Sequence, residues 1–427
     1  MLSSCTSAND NPQSDPSVHA QPHCMLLFLG VPEGTELGID YNVWETGPRF
    51  KGLSGVPCGM HFIYYSTGTF RSGFFLNIIT DDQIHVWHWC PKTETLVLEL
   101  DLEQLQRFKH STVSLISSIQ SALDESYIHE FLPHMGPYPV TSSNKSTDHL
   151  QQERQSGSLR KWLRLSSYIS QQLVARTLPD NGYVSAMTST SYFSDIPLTT
   201  SSTNLESVDA NKHDTHASDP SSSTSPTKMT DQSLDSSESD HRIHFVPITL
   251  KHSFPPGSTG TQVTKYSLDK SYLLETLIKN NYLNDHTLLL GEFQLAFVIF
   301  LLGQVYDGFD QWKALVQLVC LSCESIATRP DFFVKFIDLL RIQLEECPQD
   351  FFYDALASGS FLHVAIKAIV STCRDPDVVV PPTVSRCVSE LSDFMKTRFN
   401  WDVSEHADQD GEYDATMDDE YEPVMVE

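Results

Sequence analysis

Long apolar runs are missing from this 427-residue chain: the most apolar stretch, Leu295 to Tyr306, is 12 residues long and already contains Gln304. A helix that crosses a bilayer needs about 20 such residues, so no membrane span is expected. Positive charge is scarce too, with 28 Lys and Arg against 55 Asp and Glu and a formal charge of -27. A chain with that balance repels phosphate backbones, and direct nucleic-acid binding is not expected. The one small basic cluster, Arg160-Lys161-Trp162-Leu163-Arg164, reads as a solvated helix face, and no basic run reads as a nuclear signal. Nine cysteines, an odd number, are scattered along the chain, which suits a reducing compartment better than a disulfide framework. The polar opening "MLSSCTSANDNPQSDPSVHAQPHC" has neither a basic region nor an apolar core, so no signal peptide is expected. These absences point to a soluble, intracellular protein.

Motifs that carry chemistry are equally sparse. There is no Walker loop, no dinucleotide glycine fingerprint and no Gly-x-Ser-x-Gly elbow. "HEFLPH" approaches the His-Glu-x-x-His of zinc proteases, but His129 and His134 are one residue too far apart. Five residues rotate the second histidine about 140° off the first on a helix, and Pro133 breaks the turn. In "HVWHWC", His88 and Cys90 share one strand face and His85 takes the other, which is half a metal site and reads instead as an aromatic-rich buried strand. Cys320-Leu-Ser-Cys323 is a lone pair inside a predicted amphipathic helix and reads as core packing, not redox chemistry. "LLGQVYDGF" starts like a tetratricopeptide repeat, but the positions 34 residues on do not repeat it. No cofactor and no metal is expected.

The densest polar stretch is "GIDYNVWETGPRFKG", residues 38 to 52. Asp40, Glu45 and Arg49 could serve as acid, base and clamp, yet no nucleophile or metal ligand accompanies them. Gly38, Gly47, Pro48 and Gly52 punctuate strands and turns, and Trp44 and Phe50 read as core or interface aromatics. The stretch is expected to build the fold or meet a partner; no catalytic residue is assigned.

The organisation is clear. Residues 1–23 read as a disordered leader. From 24 to 184, short apolar runs ("CMLLFLGV", "GMHFIYYS", "GFFLNII", "QIHVWHWC") alternate with turn residues, predicting a β-rich, antiparallel, sandwich-like domain. Its few helices are expected at "LEQLQRF", "VSLISSIQSALDESYI" and "SLRKWLRLSSYISQQLVARTL", with a Ser/Thr-rich spacer insert at 141–157. Residues 185–241 hold 25 Ser or Thr among 57 positions and nine acids against Lys212 and Lys228. That segment cannot bury enough surface to offset its ordering entropy, so it reads as a disordered acidic linker with many candidate phosphorylation sites, Ser225 before Pro226 among them.

Residues 242–403 turn helical, with five or six helices expected. Ser267 is the expected cap of "SLDKSYLLETLIK", and "EFQLAFVIFLLGQVY" is apolar all round, the mark of a fully buried helix. Three stripes follow: Phe309, Trp312, Val316, Val319, Cys323 and Ile326; Phe333, Phe336, Leu340 and Leu344; Val384, Val388, Leu391 and Met395. Residues 404–427 form an acidic tail. The last 26 residues and the 185–241 segment carry 18 of the 27 net negative charges, leaving the rest only mildly acidic. The fold class is therefore multidomain α+β, β-rich first and all-α second.

Several of these stretches together resemble one family. "GVPEGTELGIDYNVWETGPRFKGLSGVPCGMHFIYYS" with "GFFL", then "SLRKWLRLSSYIS", "LGEFQLAFVIFLLGQVYDGFDQWKALVQLVC" and "TRFNWD", are similar in order to the A1-alpha2 repression (Aar-two) splicing factors. The resemblance implies a β-rich N-terminal domain, a helical domain similar to VHS domains, and no enzyme activity. It implies an assembly factor of the U5 small nuclear ribonucleoprotein in pre-mRNA splicing. Such a factor holds the spliceosomal scaffold Prp-eight, through its RNase H-like and Jab/MPN-like domains, before the Brr-two helicase joins. Cytoplasmic and nuclear residence follows from that role. The end "EYEPVMVE" resembles the family's short terminal strand, making Pro423, Val424, Met425 and Val426 candidate partner-binding residues. This apolar, β-prone tetrapeptide on an acidic leash suits addition to a sheet edge. The alternative reading is a VHS-like helical adaptor for peptide signals in membrane trafficking.

Overall fold

The computed structural model describes residues 24–68, 70–80, 83–99, 135–138, 149–188, 242–347, 361–376, 378–401 and 403. The chain divides into two compact units, the first drawn from residues 1–69 and 75–163 and the second from 70–74 and 164–427.

In the first unit, β1 (Cys24–Leu29), β4 (Gly52–Val56), β7 (Ile84–Cys90), β8 (Thr95–Leu98) and β9 (Met135–Pro137) form one sheet in the order β8-β7-β1-β4-β9. A second sheet contains β2 (Glu36–Ile39), β3 (Asn42–Glu45), β5 (Gly59–Ser66) and β6 (Arg71–Ile78) in the order β6-β5-β2-β3. Antiparallel pairing, expected from the sequence, joins β1 to β4, β2 to β3 and β5, and β7 to β8, but β1 pairs parallel with β7, and β4 parallel with β9. Parallel neighbours need a crossover, and the chain supplies it by building the second sheet between β1 and β7. β1 is central, which explains its run CMLLFL: Cys24, Leu26, Leu27 and Phe28 are all buried, as a strand covered on both faces requires. Tyr65 of the second sheet reaches the first, accepting from the Leu96 N–H at 3.1 Å and meeting Trp89 edge-on at 5.8 Å.

Gly38 lies in mid-strand, not in a turn, directly opposite Tyr64. A Cβ there would sit 2.1 Å from the Tyr64 ring, so the ring covers the glycine. Gly38→Ala is expected to destabilise the first unit by roughly 1–3 kcal/mol, the range for overpacking a filled site. In a double-variant cycle with Tyr64→Ala the penalty should shrink markedly; an additive result in urea melts would show that this contact is not the reason for the glycine.

Helix α1 (His149–Ser166) begins inside the predicted 141–157 spacer, and Trp162 holds it by burying its ring and donating from Nε1 to the Met60 carbonyl at 2.7 Å. In the second unit, β10 (Tyr183–Ser185) pairs with Ser72–Phe74 and is followed by a single helical turn at Ala186–Thr188. The Thr188 hydroxyl donates to the Ser185 carbonyl at 2.6 Å, so ordered structure runs past the expected linker boundary at 185. The remaining helices are α2 (Gln171–Thr177), α3 (Gly260–Leu268), α4 (Ser271–Asn281), α5 (His286–Leu301), α6 (Tyr306–Cys320), α7 (Ser325–Thr328), α8 (Pro330–Glu346), α9 (Phe361–Arg374) and α10 (Pro382–Phe399).

From 242 to 403 the described residues thus hold eight helices, more than the five or six expected. α3 was missed because its apolar residues are few; a reciprocal Thr259–Gln262 capping box starts it instead. Ser267 is therefore no cap: it lies near the end of α3, and α4 starts where Asp269 accepts from the Ser271 N–H at 2.7 Å. α6 ends at Cys320, so Cys323 and Ile326 fall beyond the helix in which the sequence pattern placed them.

α5 is buried on nearly every side and packs on α2, α6 and α8. Its Gly291 lets the Tyr168 carbonyl approach to 2.5 Å of where a Cβ would stand. Phe293 stacks parallel to Trp312 of α6 at 6.5 Å and lies 4.8 Å from Phe336 of α8, while Trp312 meets Phe361 of α9 edge-on at 5.9 Å. The stripe Val384, Val388, Leu391 and Met395 is the buried face of α10, laid on α8 and α9.

Candidate functional site: two buried carboxylate centres and a groove

The stretch that reads as densest in chemistry folds into a structural centre. β2 and β3 are joined by the two residues Asp40 and Tyr41, and Asp40 takes φ +55°, a conformation that Asp tolerates better than most residues. This turn drives the Asp40 side chain inward, where it is 1% exposed. Its Oδ2 accepts from the Tyr138 hydroxyl at 2.6 Å and from His61 Nδ1 at 2.8 Å, and its Oδ1 accepts from the Phe62 N–H at 3.0 Å. The other ring nitrogen of His61 lies 2.9 Å from the Pro57 carbonyl. Both nitrogens therefore face acceptors, which requires the doubly protonated imidazolium.

The electrostatics agree. Burial pulls the His61 pKa down, but the Asp40 charge, the bond to it and the Pro57 carbonyl outweigh burial, and the net shift is upward. Burial and the same carboxylate push the Tyr138 phenol up. Aspartate, histidine and a hydroxyl thus meet without forming a nucleophilic relay: the hydroxyl donates to the carboxylate, not to the imidazole, and His61 is 2% exposed. Glu45 and Arg49 are exposed while Asp40 is buried, so the three residues weighed as acid, base and clamp are not brought together.

A second carboxylate centre ties the helical unit. Glu292 of α5 is fully buried, its Oε2 accepting from Arg176 of α2 at 2.6 Å. Its Oε1 accepts from the Val246 N–H at 3.0 Å and from Gln311 Nε2 of α6 at 2.9 Å, and Gln311 Nε2 also lies 3.0 Å from the Val246 carbonyl. The Arg176 guanidinium lies 5.2 Å from the centroid of the Tyr282 ring. Burial raises the Glu292 pKa, opposed by the Val246 N–H and the Arg176 charge. Gln294, two residues further along α5, accepts from the Tyr168 N–H at 2.7 Å and donates to the Arg164 carbonyl at 2.9 Å. Sequence reasoning passed over both, although a Glu and a Gln inside an otherwise apolar helix are a readable signal: buried polar groups need partners.

Beside this centre residues 243–249 and α6 border an open groove of about 540 Å³, lined by Phe245, Ile248, Lys251, Asp310, Lys313 and Gln317 among others. Gln317 is 3% exposed, and its amide nitrogen has no hydrogen-bond partner among the described residues.

The other sequence candidates resolve as follows. His88 lies 3.0 Å from Glu99, while His85 stacks on Trp87 at 5.8 Å. Burial pushes the Cys320 thiol up, and Cys323 Sγ lies 3.0 Å from the Thr372 hydroxyl. Among the described residues no disulfide forms, no group of three or more His, Cys, Asp or Glu could hold a metal, and no helix is long and apolar enough to cross a membrane. In the basic cluster Arg160 and Lys161 are exposed, and Arg164 pairs with Glu345 at 3.4 Å. The leader 1–23, the predicted helices between 102 and 128, His129, His134, residues 189–241 and the tail with Pro423, Val424, Met425 and Val426 lie outside the described residues.

A β-rich unit followed by a largely helical unit, each with a buried carboxylate centre, defines a two-domain α+β protein. Residues 22–179 match the family model for the AAR2 N-terminal domain, and residues 245–404 match that for the AAR2 C-terminal repeat region. The chain belongs to the AAR2 family. It is 29% identical over 389 residues to the human protein AAR2 homolog, covering 89% of this chain and 90% of that one. It is 28% identical over 405 residues to the Mus musculus protein AAR2 homolog, covering 92% and 94%, and 29% identical over 387 residues to that of Caenorhabditis elegans, covering 89% and 94%.

Proposed function

We propose that this chain is a non-enzymatic assembly factor for the U5 small nuclear ribonucleoprotein in pre-mRNA splicing. Its partner in this reading is Prp-eight, bound through the RNase H-like and Jab/MPN-like domains before the Brr-two helicase joins. The observation that carries the proposal is the family match, which takes in both folded units and 89% or more of the chain in the relatives described above. The carboxylate centres support a binding role, because the most chemically suggestive residues, Asp40 and His61, are spent on closing the fold. The formal charge of -27 favours a protein partner over direct contact with RNA. Residence in both cytoplasm and nucleus belongs to the same reading. The segment Pro423–Val426 is assigned to strand addition on a Prp-eight sheet edge.

Calorimetry tests this with the full chain and a version ending at Asp402, each titrated with the Prp-eight RNase H-like domain. Binding by the full chain, weakened roughly tenfold or more by truncation, is expected; tenfold corresponds to about 1.4 kcal/mol. Equal binding by both forms would remove the tail's role and keep the assignment. No binding by either would sink the assignment and bring forward the trafficking adaptor.

A further inference from the structure

The β8-β7-β1-β4-β9 sheet has an apolar outer face. Successive side chains on a strand alternate between faces. Phe28, Trp87 and Trp89 turn to the inner side, where Tyr65 of the second sheet meets Trp89. Leu27, Ile84 and Val86 turn to the outer side and are buried, with Met25, Leu29 and Met135 half-buried against them. Val86 is 0% exposed, yet none of the described helices packs extensively on β1, β4, β7 or β8.

The strand directions say which segment passes over this face. β8 is antiparallel to β7, which is parallel to β1, and β9 is parallel to β4, which is antiparallel to β1. β8 and β9 therefore run the same way at opposite edges of one sheet. Residues 100–134, which join them, lie outside the described residues, but both ends of that connection are fixed. It leaves the end of β8 and returns to the start of β9, so it crosses the sheet, and the second sheet closes the inner face to it. Handedness gives the same answer independently. The Phe28 N–H points to Lys51 on the β4 side, and the Met25 N–H to Gln83 on the β7 side. For L-residues this sets β8 at the left and β9 at the right when both point up and Leu27 faces the viewer. A right-handed crossover, the hand such connections take almost without exception, then runs over the Leu27 face.

The sequence of the connection suits that surface. At 100° per residue, Leu115, Ile116, Ile119, Ala122 and Leu123 fall within about 120° of one helix face, and Ser114, Ser117, Ser121, Asp124 and Glu125 fall opposite. A helix over 113–128 is about 24 Å long, and the four strand spacings from β8 to β9 come to about 19 Å.

We propose that residues 113–128 dock as an amphipathic helix on the outer face of this sheet, with Leu115, Ile116 and Ile119 toward Leu27, Ile84 and Val86. The face is then an interface of the chain with itself, and a protein partner of the first unit has to bind elsewhere. This assignment does not depend on the splicing role.

Photocrosslinking of the full-length chain with p-benzoylphenylalanine in place of Met25, on the central strand, tests this, with the products mapped by peptide mass spectrometry. A crosslink into residues 113–128 of the same molecule is expected. It should persist when Ser117→Asp and Ser121→Asp are made together on the polar side. It should fall about tenfold or more with Ile116→Asp and Ile119→Asp, whose carboxylates resist leaving water. Crosslinks only to other segments, crosslinks between two molecules, or none at all would overturn the proposal. So would equal loss in the two double variants. If the isoleucine variant does not fold, the parent crosslink and its persistence in the serine variant decide the matter alone.

Discussion

Glu292→Leu is expected to lower the stability of the helical unit by on the order of 3 kcal/mol. Leucine fills the volume but accepts nothing, so the Val246 N–H loses its acceptor and Gln311 keeps only the Val246 carbonyl. Each buried donor left without a partner costs about 1–3 kcal/mol. Arg176 adds little, because its side chain is 37% exposed and can turn to solvent. The damage is local in origin but wide in effect, since the carboxylate joins α2, α5, α6 and the Val246 backbone. Urea melts of wild type and variant measure it. The gap should also narrow as pH rises. The folded-state pKa of Glu292 lies above the usual carboxylate value, so the wild type holds its extra stability below pH 4.5 and loses it as pH climbs through the folded value. The leucine variant has no such dependence. A gap that widens with pH would contradict the burial account.

The larger effect is expected at Asp40. Asp40→Ala strands three donors, the Tyr138 hydroxyl, His61 Nδ1–H and the Phe62 N–H, and leaves alanine at φ +55°. Stranded donors at about 1–3 kcal/mol each, with about 1 kcal/mol of backbone strain, put the loss on the order of 5 kcal/mol. A single domain has only about 5–15 kcal/mol to lose, so the β-rich unit should be largely unfolded at physiological temperature while the helical unit still melts separately.

Asp40→Asn gives the finer test, because asparagine suits the left-handed turn and keeps one acceptor. Since the His61 pKa is raised in the folded state, its contribution is fully present below pH 6.5 and is lost as pH rises through the folded value. Wild type should therefore lose part of its stability on going from pH 6 to pH 8, and Asp40→Asn should lose much less. His61 should titrate above 6.5 in the wild type and below it in the variant, followed by NMR. Unchanged titration in Asp40→Asn would show that the carboxylate is not what holds the proton.

How much was readable follows from how far each signal reaches along the chain. The stripe Val384, Val388, Leu391 and Met395 repeats every three to four residues and emerges as the buried face of α10 without exception. The all-round apolar run around Leu295 emerges as the buried helix α5. α3 escaped notice because a cap, not an apolar stripe, announces it, and Ser267 was misread as the next helix's start for the same reason. The candidate site was half legible. Asp40 stood out by its surroundings, but it was grouped with Glu45 and Arg49, its neighbours in sequence, when its partners are His61 and Tyr138, 21 and 98 residues away.

The sequence by itself determined the order of the two domains, the buried faces of the long helices and the family, because periodicity and family motifs are properties of contiguous residues. Only the tertiary structure decided that β1 lies between β7 and β4, that Asp40 meets His61 and Tyr138, and that Glu292 joins Arg176 to Val246. Those pairings link segments tens of residues apart. A buried carboxylate takes whichever donors the packing of the whole unit delivers to it, and no local pattern names them in advance.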